Sequence, residues 1–383
     1  MKKPIVFLLL LISTFGIVNA QVTYKAFESS KLGTTRELKI QLPRGYENNK
    51  NKSYPLIVVL DGDYLFEAVA GNVDYYTYWE DMPDAIVVGI NQYDYRYDDC
   101  LYSGQNSLPI ETGAAFFEFI GAEVIPYIES TYRTGGFRVA IGHGETANFI
   151  NYFLLKEQPL FQAYIAISPE LAPKMIDYLP ERLSNIQSKT FYYLATTNND
   201  SESIQSMAQA LDSAIKAIDN KNVLYKYNVF ENPSHYSVPT HAIPNAIESI
   251  FHVYQPISKK EYQETILKLD ESPVVYLQEK YQTIHDLFGI DKTILINDFK
   301  AIAAAIEKNG TFEYYEELGK MARKAYPDTL LGSYYIARFY EETGEPKKAM
   351  KTYQSAYILE EAAGITKDLM MEKADAIKAD FGY

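Results

Sequence analysis

Over the first two thirds of the chain, apolar runs alternate with amphipathic stretches. Residues 37–43 alternate polar and apolar positions, as a half-buried strand does. Residues 54–60 and 84–90 are apolar almost throughout, the pattern of strands covered on both faces. Shorter runs at 137–141, 163–167 and 190–196 repeat it, and 223–230 alternates. Helical periodicity is expected over 112–132, with Phe116, Phe119, Ile120 and Val124 near one face, and again over 146–156, 201–219 and 241–254. Strands and helices in alternation predict a mostly parallel central sheet covered on both sides. The acidic turn Asp61-Gly62-Asp63 and the polar, aromatic stretch 91–102 then fall at the carboxyl ends of strands, where open α/β sheets place their sites.

Beyond residue 256 strand signals cease and charged helical stretches take over. Two helices are expected in 258–289, divided at Ser272 and Pro273. After them, Ala303 and Gly310 recur 34 places later as Ala337 and Gly344. In the second copy Ala337, Tyr340, Gly344, Ala349, Tyr353 and Ala356 occupy tetratricopeptide positions; Ala322 and Pro327 fit the end of the first. Tyr315 in the first copy, where the second has Ala349, departs from the pattern. A small all-α region of helical repeats is therefore expected, offering a surface for a protein partner.

The run 137–141 leads into Gly142-His143-Gly144-Glu145-Thr146-Ala147. Strand, sharp turn and helix start in that order are where a serine esterase of the α/β-hydrolase fold carries its nucleophile, as G-x-S-x-G. Gly142 and His143 fit. The serine position holds Gly144, which has no side-chain atom to attack a carbonyl. Two places on, where a small residue belongs, stands Thr146, whose branched side chain is expected to widen or twist the crossing of helix over strand. Acyl transfer further needs a histidine base, an acid to orient it and oxyanion donors, in the chain order nucleophile, acid, histidine. Asp200, with Glu202 as second choice, and His235 stand in that order after successive strands. Asp200 has a competing reading as the cap of a helix opening at Ser201. The oxyanion donors are expected from the N–H of Glu145 and from the loop at Asp63 and Tyr64. Other attackers would be Glu145 or Thr146 through a shifted turn, Ser168 or Cys100. His143 reads as a packing residue, and His241, His252 and His285 as surface or capping groups. No metal or cofactor is expected.

At these positions the chain resembles the esterase family that includes esterase D, feruloyl esterase and enterochelin esterase proteins. The resemblance spans residues 35–255. It rests on Leu42-Pro43 with Gly45-Tyr46, Tyr54-Pro55 before Leu60-Asp61-Gly62-Asp63, the run 84–90, Ile125-Pro126-Tyr127-Ile128, Tyr132-Arg133-Thr134, Ser168-Pro169 and His235-Tyr236-Ser237-Val238-Pro239. The family's elbow is G-H-S-x-G-G, so the nucleophile and both following glycines are absent here together. The resemblance implies an α/β-hydrolase fold with His235 as the base and Asp200 as the acid. Members with a tetratricopeptide-like tail look similar over the whole chain.

Composition narrows the partners. At 383 residues and 47% hydrophobic content the chain is long and apolar enough for a globular core. Lys2 and Lys3, the apolar stretch 4–18 and the small-residue site Val18-Asn19-Ala20 read as a secretory leader, with Gln21 the first mature residue. Losing it takes the net charge from −14 to about −16, which argues against nucleic acid or anionic lipid as partners. No later run is long enough for a membrane span. The lone Cys100 excludes an internal disulfide. Expected organisation is thus a leader at 1–20, an α/β-hydrolase domain at 21–256, a helical linker at 257–290 and repeats at 291–383. The expected product is an exported protein, periplasmic or extracellular. It would have lost its nucleophile and would bind a small-molecule, carbohydrate or ester ligand in its cleft. The alternatives are an ester hydrolase with a displaced nucleophile, or an assembly protein acting through the repeats.

Overall fold

The computed structural model describes residues 22–383; the expected leader lies outside them. The chain forms two compact units. One runs to Trp79 and resumes over Pro83–Ile250; the other comprises Glu80–Met82 and Phe251–Tyr383.

The first unit is built on an eight-stranded sheet with strand order β1-β2-β4-β3-β5-β6-β7-β8. Its strands are β1 (Val22–Ser29), β2 (Thr34–Gln41), β3 (Tyr54–Val59), β4 (Ile86–Ile90), β5 (Thr134–His143), β6 (Ala163–Ile167), β7 (Thr190–Asn199) and β8 (Val223–Ser234). β1 and β2 are antiparallel to each other, and β2 is antiparallel to β4. All remaining pairs are parallel. Every residue of β3, β4 and β6 is buried, as expected of strands covered on both faces. This mostly parallel, helix-connected sheet is an α/β-hydrolase-like architecture.

The helix expected over 112–132 is present with one irregularity. A π-helical segment, Phe119–Val124, joins helices Glu111–Glu118 and Ile125–Thr131. Pro126 has no N–H to continue the α-helical ladder, and the wider turn precedes it. The helix expected after the elbow is broken into Glu145–Phe149 and Asn151–Leu154.

In the second unit the helix Pro273–Phe288 opens at the Ser272 cap. Ile296–Asn309, Tyr315–Ala325, Leu330–Glu342, Pro346–Ser355 and Lys367–Phe381 follow. Tyr315–Ala325 and Leu330–Glu342 cross at glycines: a Cβ on Gly319 would lie 2.5 Å from Ile336 Cγ1, and one on Gly332 2.5 Å from Arg323 N. Ala337, Ala349 and Tyr353 are fully buried between successive helices. Among the described residues no helix is long and apolar enough to cross a membrane.

Candidate active site

The carboxyl ends of β3, β5, β6, β7 and β8 converge on one place in the first unit. β5 ends at His143, and Gly144 turns the chain with φ 62° and ψ −120° before the helix Glu145–Phe149. That conformation is strained for any residue with a Cβ. The turn is held by Gly144 N donating to Ile167 O (3.0 Å) and by Gly144 O accepting from Glu170 N (3.1 Å).

Just before it, a Cβ on Gly142 would lie 2.5 Å from the carbonyl of Thr146. Helix and strand thus cross closely, and the expected widening by Thr146 does not occur. The Thr146 side chain is fully buried and satisfied instead: Oγ1 donates to Asp61 Oδ2 (2.6 Å) and accepts from His143 N (2.9 Å).

Opposite the turn, His235 Nδ1 lies 2.7 Å from Asp200 Oδ1. The other Asp200 oxygen accepts from Ser168 Oγ (2.7 Å) and Thr197 N (2.9 Å). Burial pushes the Asp200 carboxyl up, but the hydrogen bonds from His235, Ser168 and Thr197 outweigh it and hold the group below the usual carboxylate range. The cap of the following helix is Ser201, whose Oγ accepts from Ile204 N, so Asp200 is committed to His235. Glu202 is exposed in the first turn of that helix. A carboxylate on Nδ1–H leaves the Nε2 lone pair of His235 facing the turn, 3.8 Å from where a Cβ on Gly144 would be.

His143 supports this dyad from behind. It is 2% exposed and its ring lies 4.5 Å from that of His235. Burial, and then the neighbouring His235, push its pKa down to about 4. The ring is therefore neutral near pH 7. His143 Nε2–H donates to His235 O (3.0 Å), and Nδ1 lies 3.0 Å from the Tyr64 hydroxyl, which donates to Asp61 Oδ2 at the same distance. The pH consequence has a definite sign. The unfolded state takes up a proton near pH 6.5 and the folded state only near pH 4. Stability contributed here is therefore complete above about pH 6.5 and lost as pH falls toward 4. The loss should approach about 3 kcal/mol at the acid end. Urea unfolding across this range should show that slope in the wild type and a flatter one in His143→Gln; equal slopes would refute it.

One expected oxyanion donor is corrected. The N–H of Tyr64 is not free for an oxyanion, because it donates to Asp61 O (3.1 Å) within its own turn. The Glu145 N–H does open its short helix, but its carboxylate is there as well. That carboxyl is pushed up by burial, with Arg96 opposing and Glu170 and Asp61 adding to the rise.

The side chains that most shape the site were not singled out from the sequence. Arg96 donates from Nε to Asp61 Oδ1 (2.7 Å), from Nη1 to Glu145 Oε2 (2.7 Å) and from Nη2 to His143 O (2.9 Å). A Cβ on Gly144 would stand 3.2 Å from Arg96 Nη2 and 3.2 Å from Glu170 Oε1. Arg96 is delivered by the one-turn helix Arg96–Asp99, which is anchored by a buried fork. Arg36 on β2 gives two hydrogen bonds, of 2.7 and 2.6 Å, to Asp99, and its guanidinium stacks 4.0 Å over Tyr95. The only sequence signal for Arg96 was a cation in the polar stretch beyond β4; for Glu170, its place after Ser168-Pro169.

Three of the other attackers weighed from the sequence are poorly placed. Thr146 and Ser168 are fully buried, each with its hydroxyl donated to an aspartate. Burial pushes the Cys100 thiol well up, away from the thiolate form. In front of the dyad opens a cleft of about 560 Å³, lined by Tyr102, Glu145, Glu170, Leu171, His235 and Tyr236 among others.

A family model described as "Putative esterase" matches residues 29–236, more than half of the chain. The crystal structure of an uncharacterised protein from Capnocytophaga ochracea is 30% identical, with a TM-score of 0.85 over 94% of this chain and 100% of that one. An IroE-like serine hydrolase from Shewanella oneidensis is 22% identical, with a TM-score of 0.58 over 79% of this chain and 99% of that one. The siderophore hydrolase EstB from Aspergillus nidulans is 14% identical, with a TM-score of 0.50 over 61% and 96%. The last two likenesses concern the fold alone. No curated protein matches the chain.

Proposed function

The chain belongs to the esterase family whose model it matches, and from that premise we propose that it is a non-catalytic member that binds a ligand in the former catalytic cleft. One observation carries the reading. Where a nucleophile would project, residue 144 has no side chain, and Arg96 and Glu170 lie 3.2 Å from the first atom a side chain would add. The His235–Asp200 pair remains, but a base without a nucleophile cannot form an acyl-enzyme. Losing the serine of a triad costs on the order of 10⁶ in turnover. The mature protein should therefore hydrolyse p-nitrophenyl acetate at no more than background rate, and a fluorophosphonate should label no single serine stoichiometrically. Turnover that disappears in His235→Ala would overturn the proposal.

The intact dyad is what favours a second reading, hydrolysis by a displaced nucleophile. The burial of Thr146, Ser168 and Cys100 weighs against it. Two further parts of the proposal rest on sequence pattern. The chain is exported, with Gln21 as first mature residue; Met1 retained on the protein isolated from its native cells would refute this. The helices after residue 291 act as tetratricopeptide-like repeats offering a second, protein-binding surface. The burial of Ala337, Ala349 and Tyr353 at contact positions supports that part.

A further inference from the structure

We propose that the cleft in front of His235 takes an organic cation, an ammonium or guanidinium group on an apolar stem, held by Glu145 and Glu170. The inference rests on the binding reading above and adds the ligand's chemical class. The nearest fixed cation is already paired with two carboxylates. Arg96 gives Nε and Nη2 to Asp61, Nη1 to Glu145 and Nη2 again to His143 O. No lysine or arginine lines the cleft, whereas two carboxylates do. Arg96 occupies only Oε2 of Glu145. Among the described residues, the other Glu145 oxygen and the whole Glu170 carboxylate accept no side-chain or backbone hydrogen bond.

Glu170 also raises the cost of ionising Glu145. Burial lifts the Glu145 carboxyl first, and Glu170 lifts it further against the pull of Arg96. A positive group between the two carboxylates relieves both effects. His235 adds a third acceptor, its Nε2, since Asp200 fixes the proton on Nδ1. Ligand N–H donors therefore meet three acceptors and no uncommitted cation. The cleft is also lined by Leu171, Ile204 and Met207, which suits an alkyl or aromatic stem. A ligand bearing a carboxylate or phosphate would meet like charge here and be rejected. A bare divalent ion fits less well: no group of three His, Cys, Asp or Glu among the described residues is arranged to hold one.

The test is calorimetric titration of the full mature chain with hexylamine, hexanoate, hexanol and calcium. Hexylamine should bind in the millimolar range or tighter, and hexanoate should not. The double variant Glu145→Gln/Glu170→Gln should weaken hexylamine at least about tenfold, the loss of one charge-assisted contact. Asp177→Asn, which removes an exposed acid elsewhere, should not. Both variants must melt as wild type does. Hexanoate binding as tightly as hexylamine, an unaffected double variant, or calcium displacing hexylamine would each overturn the proposal. Hexanol binding that depends on His235, without hexylamine binding, would leave the cleft a binding site and remove only the cationic class. Absence of binding by all four would remove both.

Discussion

Gly144→Ser alone will leave the protein without measurable esterase activity, and Gly144→Ser/Glu170→Ala will exceed it by about 10²-fold. The reason is competition for the new hydroxyl. A serine Cβ at this turn would stand 3.2 Å from Glu170 Oε1 and 3.8 Å from His235 Nε2. Charge-assisted hydrogen bonds to carboxylates are the stronger ones, so the hydroxyl proton goes to Glu170 and the oxygen faces away from the base. Glu170 also opposes the negative charge that develops on the tetrahedral intermediate. Removing it returns the hydroxyl to His235 and lowers that opposition. Arg96 should stay, because Asp61 is 1% exposed and depends on it for charge compensation. Restoring the two glycines of the family's elbow as well, by Thr146→Gly with Ala147→Gly, should add nothing. Thr146 already fits the tight crossing, and its hydroxyl serves Asp61 and His143. Ester turnover of the single, the double and the double with His235→Ala decides the matter. If the single equals the double, Glu170 is not the obstacle; if activity survives His235→Ala, the dyad is not the base.

Arg36→Ala should cost about 3–5 kcal/mol of stability, the usual penalty for breaking a buried pair by removing one partner. Arg36 and Asp99 are 4% and 2% exposed and meet through two parallel hydrogen bonds. Burial pushes the Asp99 carboxyl up, and Arg36 and Gln92 only partly offset it. Without Arg36 the carboxylate would be buried with the amide of Gln92 as its remaining side-chain donor. Asp99 closes the one-turn helix that carries Arg96, so the same substitution should loosen the hold of Arg96 on Asp61 and Glu145. Replacing both partners by apolar residues, Arg36→Met/Asp99→Leu, should recover much of the loss. Urea unfolding measures each; a cost below about 1 kcal/mol for Arg36→Ala would show the pair to be dispensable.

How much of this could be read from the chain depended on whether the information was local. β3, β4, β6 and β7 were legible because strands buried on both faces need unbroken apolar runs. β1 was not foreseen: Val22–Ser29 is a sheet edge with mostly exposed side chains, and its residues carry no clean alternation. The helix Met175–Asn185 was missed because Pro180, near its middle, reads as a breaker. Phe66–Tyr78 was missed because exposed Tyr75 and Tyr78 stand where a polar stripe would mark the outer face. Gly144, Asp200 and His235 could be picked out because the fold fixes their order after successive strands. Asp61 stands in the acidic turn read at a strand end, but Arg96 and Glu170 come from two other loops with no motif linking them to it. Only the folded sheet brings them together, so charge in a loop was all that sequence could offer.

The order of strands also bears on how the sheet is assembled in time. β2 does not pair with β3, its successor, but with β4: Leu38 lies opposite Ile90 and Ile40 opposite Val88. During synthesis at roughly 5–20 residues per second, β2 must wait several seconds before its partner emerges. β4 in turn needs β3, and β3 gains its other neighbour only with β5. Until then Leu38 and Ile40, fully buried at the end, stand on an unpaired edge. A nascent chain with that delay exposes an unpaired strand edge to its neighbours for longer than a chain whose strands pair in sequence.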